Sequence, residues 1–308
     1  MTAAAPTVSV IVNCYNGERY LQEALDSIAA QTLTDFEVIF WDNGSTDRSA
    51  EIARGFGDRL RYFRATETTP LGAARNLAVA EASGEFIAFL DTDDRWYPHT
   101  LATLLDAMSP EVDVCYAGLR NIDASGGPLG AKPPAARSGD LLDPLLRQFD
   151  VWVQSLLLRR SALVRTGLGF DPAITASEEY CLFIQLAAEV AFRSIPDVLV
   201  DYRIHEEALT ARSIEKWADE RFYTLERLLT RRPELREKHA DAFAEAFARG
   251  FYYRARKLMA EGRRREARAA LKQAAPAGST YRLLHLLAFA PTPLWNMVHS
   301  WKTQRTIG

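Results

Sequence analysis

The chain has 308 residues, 48% hydrophobic and 25% charged, with a formal net charge of −3, a globular composition with room for one large domain or a domain with an appendage. The charge is uneven: residues 1–212 carry 18 Lys+Arg against 30 Asp+Glu, a balance of −12, and residues 213–308 carry 19 against 10, a balance of +9. Three scattered cysteines, Cys14, Cys115 and Cys181, show no C-x-x-C spacing, which argues against a disulfide framework or zinc site and for reduced thiols.

Val8–Asn13 (VSVIVN) is a β-branched apolar run, read as a buried strand, and Asn16-Gly17 punctuates it. Leu21, Ala24, Leu25, Ile28 and Ala29 then recur at helical spacing. Phe36–Trp41 is a second strand ending at Asp42 in the turn DNGSTD, where Ser45 and Asp47 suit the cap of a helix through Ile52 and Ala53. A strand at Leu60–Phe63 and an alanine-rich helix at Leu71–Ala82 follow. Strand and helix alternate at short intervals, as βαβ units on a mainly parallel sheet require.

Ser83-Gly84 leads into Phe86–Asp94, FIAFLDTDD: five apolar residues, then Asp91, Asp93 and Asp94 within four positions. Such a run reads as a strand buried on both faces, and its end carries carboxylates to the sheet edge where open α/β sheets place ligands. The aspartates repel one another unless a cation lies between them, and all-oxygen donors suit Mg²⁺ or Mn²⁺. Alone, a D-x-D is equally a solvated, capping turn.

Beyond it, a helix is expected from Pro98-His99 through Leu101, Leu104 and Leu105, and a strand at Val112–Tyr116. Residues 123–138 (DASGGPLGAKPPAARS) read as a loop or mobile lid. Residues 154–160 read as a strand, Gly167–Pro172 as a turn, Glu178–Ala188 as a helix and Val198–Ile204 as a last strand. From Ile214 the chain turns to Arg- and Ala-rich helices, with a hairpin of tetratricopeptide type around Glu261-Gly262. The segment from Thr280 to Lys302 is apolar and broken at Pro291 and Pro293; it either packs on the domain or lies in a membrane interface beside Trp295 and Trp301.

The run VSVIVNCYNGERYLQEALDSIAAQTLTDFEVIFWDNGSTD, then GAARN, then FLDTDD, resembles family 2 inverting glycosyltransferases of the GT-A fold, over about residues 7–210. The resemblance implies a GT-A (Rossmann-like) mixed, mainly parallel sheet flanked by helices, with residues 1–212 as the catalytic domain. Residues 213–308 are then a basic α-helical C-terminal region. It places Cys14, Tyr15 and Glu18 in the loop that holds the nucleotide base, with Tyr15 as a stacking ring. Asp42 accepts a hydrogen bond from the base, and Asn43 stands where many members carry a second aspartate. Arg75 reaches the nucleotide and its phosphates. Asp93 is the metal ligand, and Asp91 serves ribose or the metal through water. TASEEYCLFIQLA resembles the segment with the general base, which assigns Glu179, or else Glu178. DVLVDYRIHEEALT resembles the end of the catalytic domain, where His205 contacts metal or diphosphate.

The implied reaction is inverting transfer from a nucleoside diphosphate sugar, UDP-sugar favoured, to a hydroxyl of a surface glycan or lipid-linked saccharide. Residues 123–138 and Trp152–Ser155 would border the acceptor. A nucleotidyltransferase would want a Gly-rich basic loop after strand one, which NCYNGERY is not. A non-catalytic nucleotide-sugar-binding module would lack the downstream base. No nucleic-acid motif accompanies the basic tail. The first residues lack a signal-peptide pattern and no stretch reaches the roughly 18 apolar residues of a membrane span. A cytoplasmic protein is expected, with peripheral contact at the inner membrane face through its C-terminal region.

Overall fold

The computed structural model describes residues 5–206, 214–290 and 294–297. The boundary expected at 212/213, Pro291, Pro293, Trp301 and the first residues of the chain lie outside the described residues. The chain divides into two compact units, the first made of residues up to Leu141, Asp150–Ala173 and Gln185–His205. The second takes Leu142–Phe149, Ile174–Ile184 and the chain from Glu206 on.

In the first unit β1 (Val8–Cys14), β2 (Phe36–Asp42), β3 (Leu60–Arg64) and β4 (Phe86–Phe89) alternate with α1 (Leu21–Ala29), α2 (Ser49–Arg54) and α3 (Leu71–Ala80). There follow β5 (Arg95–Trp96), α4 (Thr100–Asp106), β6 (Val114–Ile122), β7 (Pro128–Lys132), β8 (Arg137–Gly139), β9 (Leu156–Arg159), α6 (Arg160–Thr166) and β10 (Phe192–Arg203). Between them α5 (Leu142–Arg147) belongs to the second unit, and α7 (Glu178–Ala187) begins there. The strands form one mixed sheet in the order β3-β2-β1-β4-β9-β6-β10-β5, with β7 on β6 and β8 on β10.

β1 pairs in parallel with β2 and β4, Val8 standing opposite both Phe36 and Phe86. That common register brings Cys14, Asp42 and the aspartates after β4 to one edge. β9 runs antiparallel to both β4 and β6, and β10 is parallel to β6, so β10 also ends at that edge. Every residue of β4 is buried, as its unbroken apolar run requires. Val10, Val12, Leu21, Leu25, Ile28, Val38 and Phe40 form the core beneath α1.

The expected loop at 123–138 carries two short strands, over 128–132 and 137–138, and is turn or irregular elsewhere. β7 pairs antiparallel with β6 through Leu119–Lys132 and neighbouring pairs, around a turn held by Asp123, whose Oδ1 accepts from Ser125 N at 2.8 Å and Gly127 N at 2.9 Å. Its residues are mostly exposed, so pairing rests on the backbone and leaves no apolar alternation in the sequence. β10 begins at Phe192 rather than Val198, because a bulge between Ser194 and Val198 carries Pro196, which breaks the expected pattern.

In the second unit α8 (Trp217–Arg231), α9 (Leu235–Lys238), α10 (Ala240–Ala260), α11 (Arg264–Ala274) and α12 (Ser279–Leu287) follow one another. α10 and α11 form the expected hairpin about Gly262, at φ +75°, a conformation that suits glycine. Ala248, Ala255, Ala267, Ala270, Leu271 and Ala274 make its core; small side chains there let the two backbones approach closely.

Candidate active site

The turn after β4 is fixed from three sides. Leu90 N bonds Ile11 O at 3.0 Å and Asp94 N bonds Asp91 O at 3.2 Å. Arg75, 1% exposed on α3, donates from Nη2 to Asp91 Oδ1 at 2.9 Å and lies 5.4 Å from the Phe170 ring centre. Its neighbour Asn76 exchanges two bonds with the Phe170 backbone, at 2.7 and 2.9 Å. Asp93 Oδ2 meets His205 Nε2 at 2.9 Å, and the His205 ring packs on Tyr20 with centroids 5.4 Å apart. Asp94 is buried; it accepts from Arg203 N and from Gln154 Nε2, both at 2.8 Å. It therefore ties β10 to the turn rather than capping the next helix.

Burial and the Asp91 charge push the Asp93 carboxyl up from its usual range, with His205 pulling the other way. Burial, then Asp93 and Asp91, raise Asp94 further. Asp91 and Asp93 keep 28% and 31% of their side chains exposed, so both stay reachable, and His205 Nδ1 is buried with no hydrogen-bond partner among the described residues. Crowded carboxylates beside an imidazole fit a hard divalent cation. Among the described residues no three or more His, Cys, Asp or Glu side chains are gathered to hold an ion alone.

Cys14 is buried, with Sγ 3.9 Å from Ser45 Oγ, and burial pushes its thiol up. Tyr15 projects outward, 58% exposed. Glu18 and the turn before α2 hold each other: Glu18 N donates to Asp47 Oδ2 at 3.0 Å and Arg48 N to Glu18 Oε2 at 2.9 Å. Asp47 Oδ1 also accepts from Ser49 N at 3.0 Å in the turn before α2, whose N-cap position is Arg48 rather than Ser45 or Asp47. Asp42 is fully buried and accepts from Ser45 N at 2.7 Å, Tyr62 Oη at 2.5 Å and Arg64 Nη1 at 3.0 Å. Burial opposes its charge, but those three partners outweigh it and hold the carboxyl below its usual range. Asn43 is paired with Thr69, Nδ2 to Thr69 O at 2.8 Å and Thr69 N to Oδ1 at 3.1 Å.

In the second unit Glu178 and Glu179 open α7, Glu178 buried and Glu179 partly so. The sequence reading missed Arg203, which is buried at the end of β10 and donates to Asp93 O at 2.9 Å and to Glu23 Oε2 at 2.8 Å. A charged residue in the apolar run VLVDYRI was the available signal. Gln154, the Asp94 partner, carried none.

Three comparisons bear on this arrangement. The model of glycosyl transferase family 2 matches residues 9–162. An uncharacterized glycosyltransferase of Rickettsia typhi is 30% identical over 214 residues, covering 67% of this chain and 66% of that protein. One of Rickettsia felis is 30% identical over 212 residues but only 35% of it is covered. The chain thus spans about two thirds of the first relative and about a third of the second. Among solved structures, Staphylococcus aureus TarS 1–349 matches with a TM-score of 0.65 at 22% identity, covering 94% of this chain and 88% of that one. The mannosyltransferase PcManGT of Pyrobaculum calidifontis, in complex with GDP-Man and Mn²⁺, matches at 0.61 and 21% identity, covering 99% and 85%. These likenesses bear out the GT-A fold. With a family model spanning β1 through β9 and the aspartate turn at its centre, the chain belongs to glycosyl transferase family 2.

Proposed function

We propose that the chain is an inverting glycosyltransferase that moves a sugar from a nucleoside diphosphate sugar, UDP-sugar favoured, to a hydroxyl of a saccharide or lipid-linked acceptor. The observation that carries this reading is the meeting of Asp93 with His205 beside the Asp91–Arg75 pair at the carboxyl edge of the sheet. TarS has been solved with UDP and with UDP-GlcNAc, and PcManGT with GDP-Man and Mn²⁺, which supports a nucleotide-sugar donor and a divalent cation.

Asp93 and Asp91, with His205 alongside, would hold Mg²⁺ or Mn²⁺, whose charge neutralises the departing diphosphate. Arg75 orients Asp91 and adds positive charge to the same edge. Tyr15 offers an exposed ring for the base. Cys14, Glu18 and Asn43 shape the loops around it. Asp42 already holds three protein donors, and its Oδ1 keeps one acceptor site for the base. Glu179, or else Glu178, takes the acceptor proton as the hydroxyl oxygen bonds C1 and the C1–O bond to the diphosphate breaks; the motif order supports this assignment.

A lipid-linked acceptor is favoured by the second unit, where Leu283, Leu286 and Phe289 are exposed on and beyond α12. Arg268 lies 4.4 Å over the Phe289 ring and Arg282 is exposed beside them, a pairing of apolar and basic groups suited to an anionic lipid surface. No helix of the described residues is long and apolar enough to cross a membrane.

Calorimetric titration with UDP, GDP and dTDP, with and without Mn²⁺, tests the donor site. Metal-dependent binding of UDP, lost in Asp93→Ala, is expected. Binding of GDP or dTDP alone would overturn the UDP preference, and no metal-dependent binding would favour a non-catalytic module. Glu179→Ala should abolish nucleotide release from the donor while leaving nucleotide affinity intact.

A further inference from the structure

A carboxylate on a buried helix face is costly unless several donors surround it. Glu220, on α8, is 9% exposed. All four donors to its carboxylate come from three consecutive residues, Thr175–Ser177. Oε1 accepts from Thr175 N at 2.9 Å and Thr175 Oγ1 at 3.2 Å, and Oε2 accepts from Ala176 N at 3.1 Å and Ser177 Oγ at 2.7 Å. Lys216 Nζ adds a bond to Thr175 Oγ1 at 2.8 Å. The next residues in the chain are Glu178 and Glu179. On their far side Tyr180 is gripped by Arg221, whose Nη1 donates to Tyr180 Oη at 3.0 Å with the guanidinium 4.0 Å from the ring centre. Two adjacent residues of α8 thus hold the chain immediately before and immediately after the acidic pair.

We infer that Glu220 is a positioning residue for that pair, which it holds from another helix of the same unit. The inference rests on the reading of Glu179 or Glu178 as general base. A carboxylate that deprotonates an acceptor must be placed to a fraction of an ångström, and a misplacement of about 1 Å costs on the order of 10²-fold in rate. The three-residue segment 175–177 otherwise has no side chain large enough to anchor it. Glu220 supplies the anchor from another helix of the same unit.

The test uses the full chain with Mn²⁺, UDP-, GDP- and dTDP-linked sugars, and water as acceptor, reading nucleotide release. Glu220→Gln replaces one acceptor oxygen by a donor and breaks half of the cradle. It is expected to lower kcat on the order of 10²-fold with the donor KM and nucleotide affinity little changed. Amide exchange over residues 175–180 should rise. A Thr175→Val, Ser177→Ala double variant removes the two hydroxyl donors while Glu220 keeps its charge and its two backbone donors, and should lower kcat in the same direction. Unchanged kcat in both, or parallel loss of kcat, nucleotide affinity and thermal stability, overturns the positioning role. Glu179→Gln and Glu178→Gln separate the two readings. If both retain turnover, the general-base assignment falls and takes the inference with it; if either abolishes turnover while Glu220→Gln is silent, only the inference falls. A wild type that releases no nucleotide from any donor removes both.

Discussion

Arg203 Nε donates to the main-chain carbonyl of Asp93 at 2.9 Å, while Arg203 N is itself bound by Asp94 Oδ1 at 2.8 Å. Side chain and backbone of one residue thus clasp both members of the Asp93-Asp94 step. The guanidinium also lies 4.3 Å from the Tyr20 ring centre, and Tyr20 in turn packs on His205. Arg203, Tyr20, His205 and Asp93 close a ring of contacts, so the position of Asp93 depends on β10 as much as on β4.

Arg203→Lys is therefore not conservative. A lysine ammonium cannot replace a fork that reaches Asp93 O, Ala124 O and Glu23 together. Losing those bonds in a buried setting should destabilise the fold by about 2–4 kcal/mol. Metal-dependent nucleotide affinity should fall more than the metal-independent part. Chemical denaturation and paired calorimetric titrations check this; an equal loss with and without Mn²⁺ would show that Arg203 serves the fold alone.

Most of the first unit was legible because its parallel strands are mainly apolar runs, as in Val8–Val12 and Phe86–Leu90, and because turn residues punctuate them. The candidate site was legible where carboxylates lie close in sequence, as in Asp91–Asp94. It was not legible where partners are distant in sequence: Gln154 and Arg203 reach Asp94 across 60 and 109 residues. The exposed strand β7 and the bulged start of β10 escaped because backbone pairing holds them without an apolar pattern. Asp42 reads as a free carboxylate at a strand end, yet Tyr62 and Arg64, two residues apart on β3, occupy its Oδ2.

Asp201 contributes to the acid stability of the sheet. Burial works to raise its carboxyl, but Arg120 and Arg95 outweigh it and hold the group below its usual range. A depressed carboxylate contributes stability that is present above its unfolded value, about 3.9, and is lost as pH falls through the lower folded value. Asp201→Asn should therefore melt well below the wild type at pH 7, and the gap should narrow as pH drops below about 4. A gap constant from pH 7 to pH 3 would place the contribution in packing.

The apolar and basic surface of α12 predicts selective lipid binding. Wild type should sediment with vesicles containing phosphatidylglycerol and not with pure phosphatidylcholine. Binding should weaken with salt, as contact with an anionic surface does. Leu283→Ser with Leu286→Ser should reduce it at least several-fold, since each buried leucine contributes roughly 1.5–3 kcal/mol. UDP affinity should be unaffected. Equal binding to neutral vesicles, or no loss in the variant, would remove the membrane reading.

Gly17 links the loop after β1 to the aspartate turn. A Cβ at this position would stand 2.9 Å from Thr92 Oγ1 and 3.1 Å from both Thr92 Cβ and Cys14 Sγ, while Gly17 N holds Ser49 Oγ at 2.9 Å. The loop therefore cannot yield without breaking that bond, and Thr92 sits between Asp91 and Asp93. Gly17→Ala should push the turn outward and weaken Mn²⁺-dependent nucleotide binding by roughly tenfold, the effect of about 1.4 kcal/mol. Thr92→Ala removes the closest atom and should restore part of the affinity in the double variant. Thr92→Ser keeps that oxygen and should restore less. If all three Gly17→Ala backgrounds bind nucleotide alike, the crowding is absorbed by the loop, and contact between Gly17 and Thr92 does not set the geometry of the aspartates.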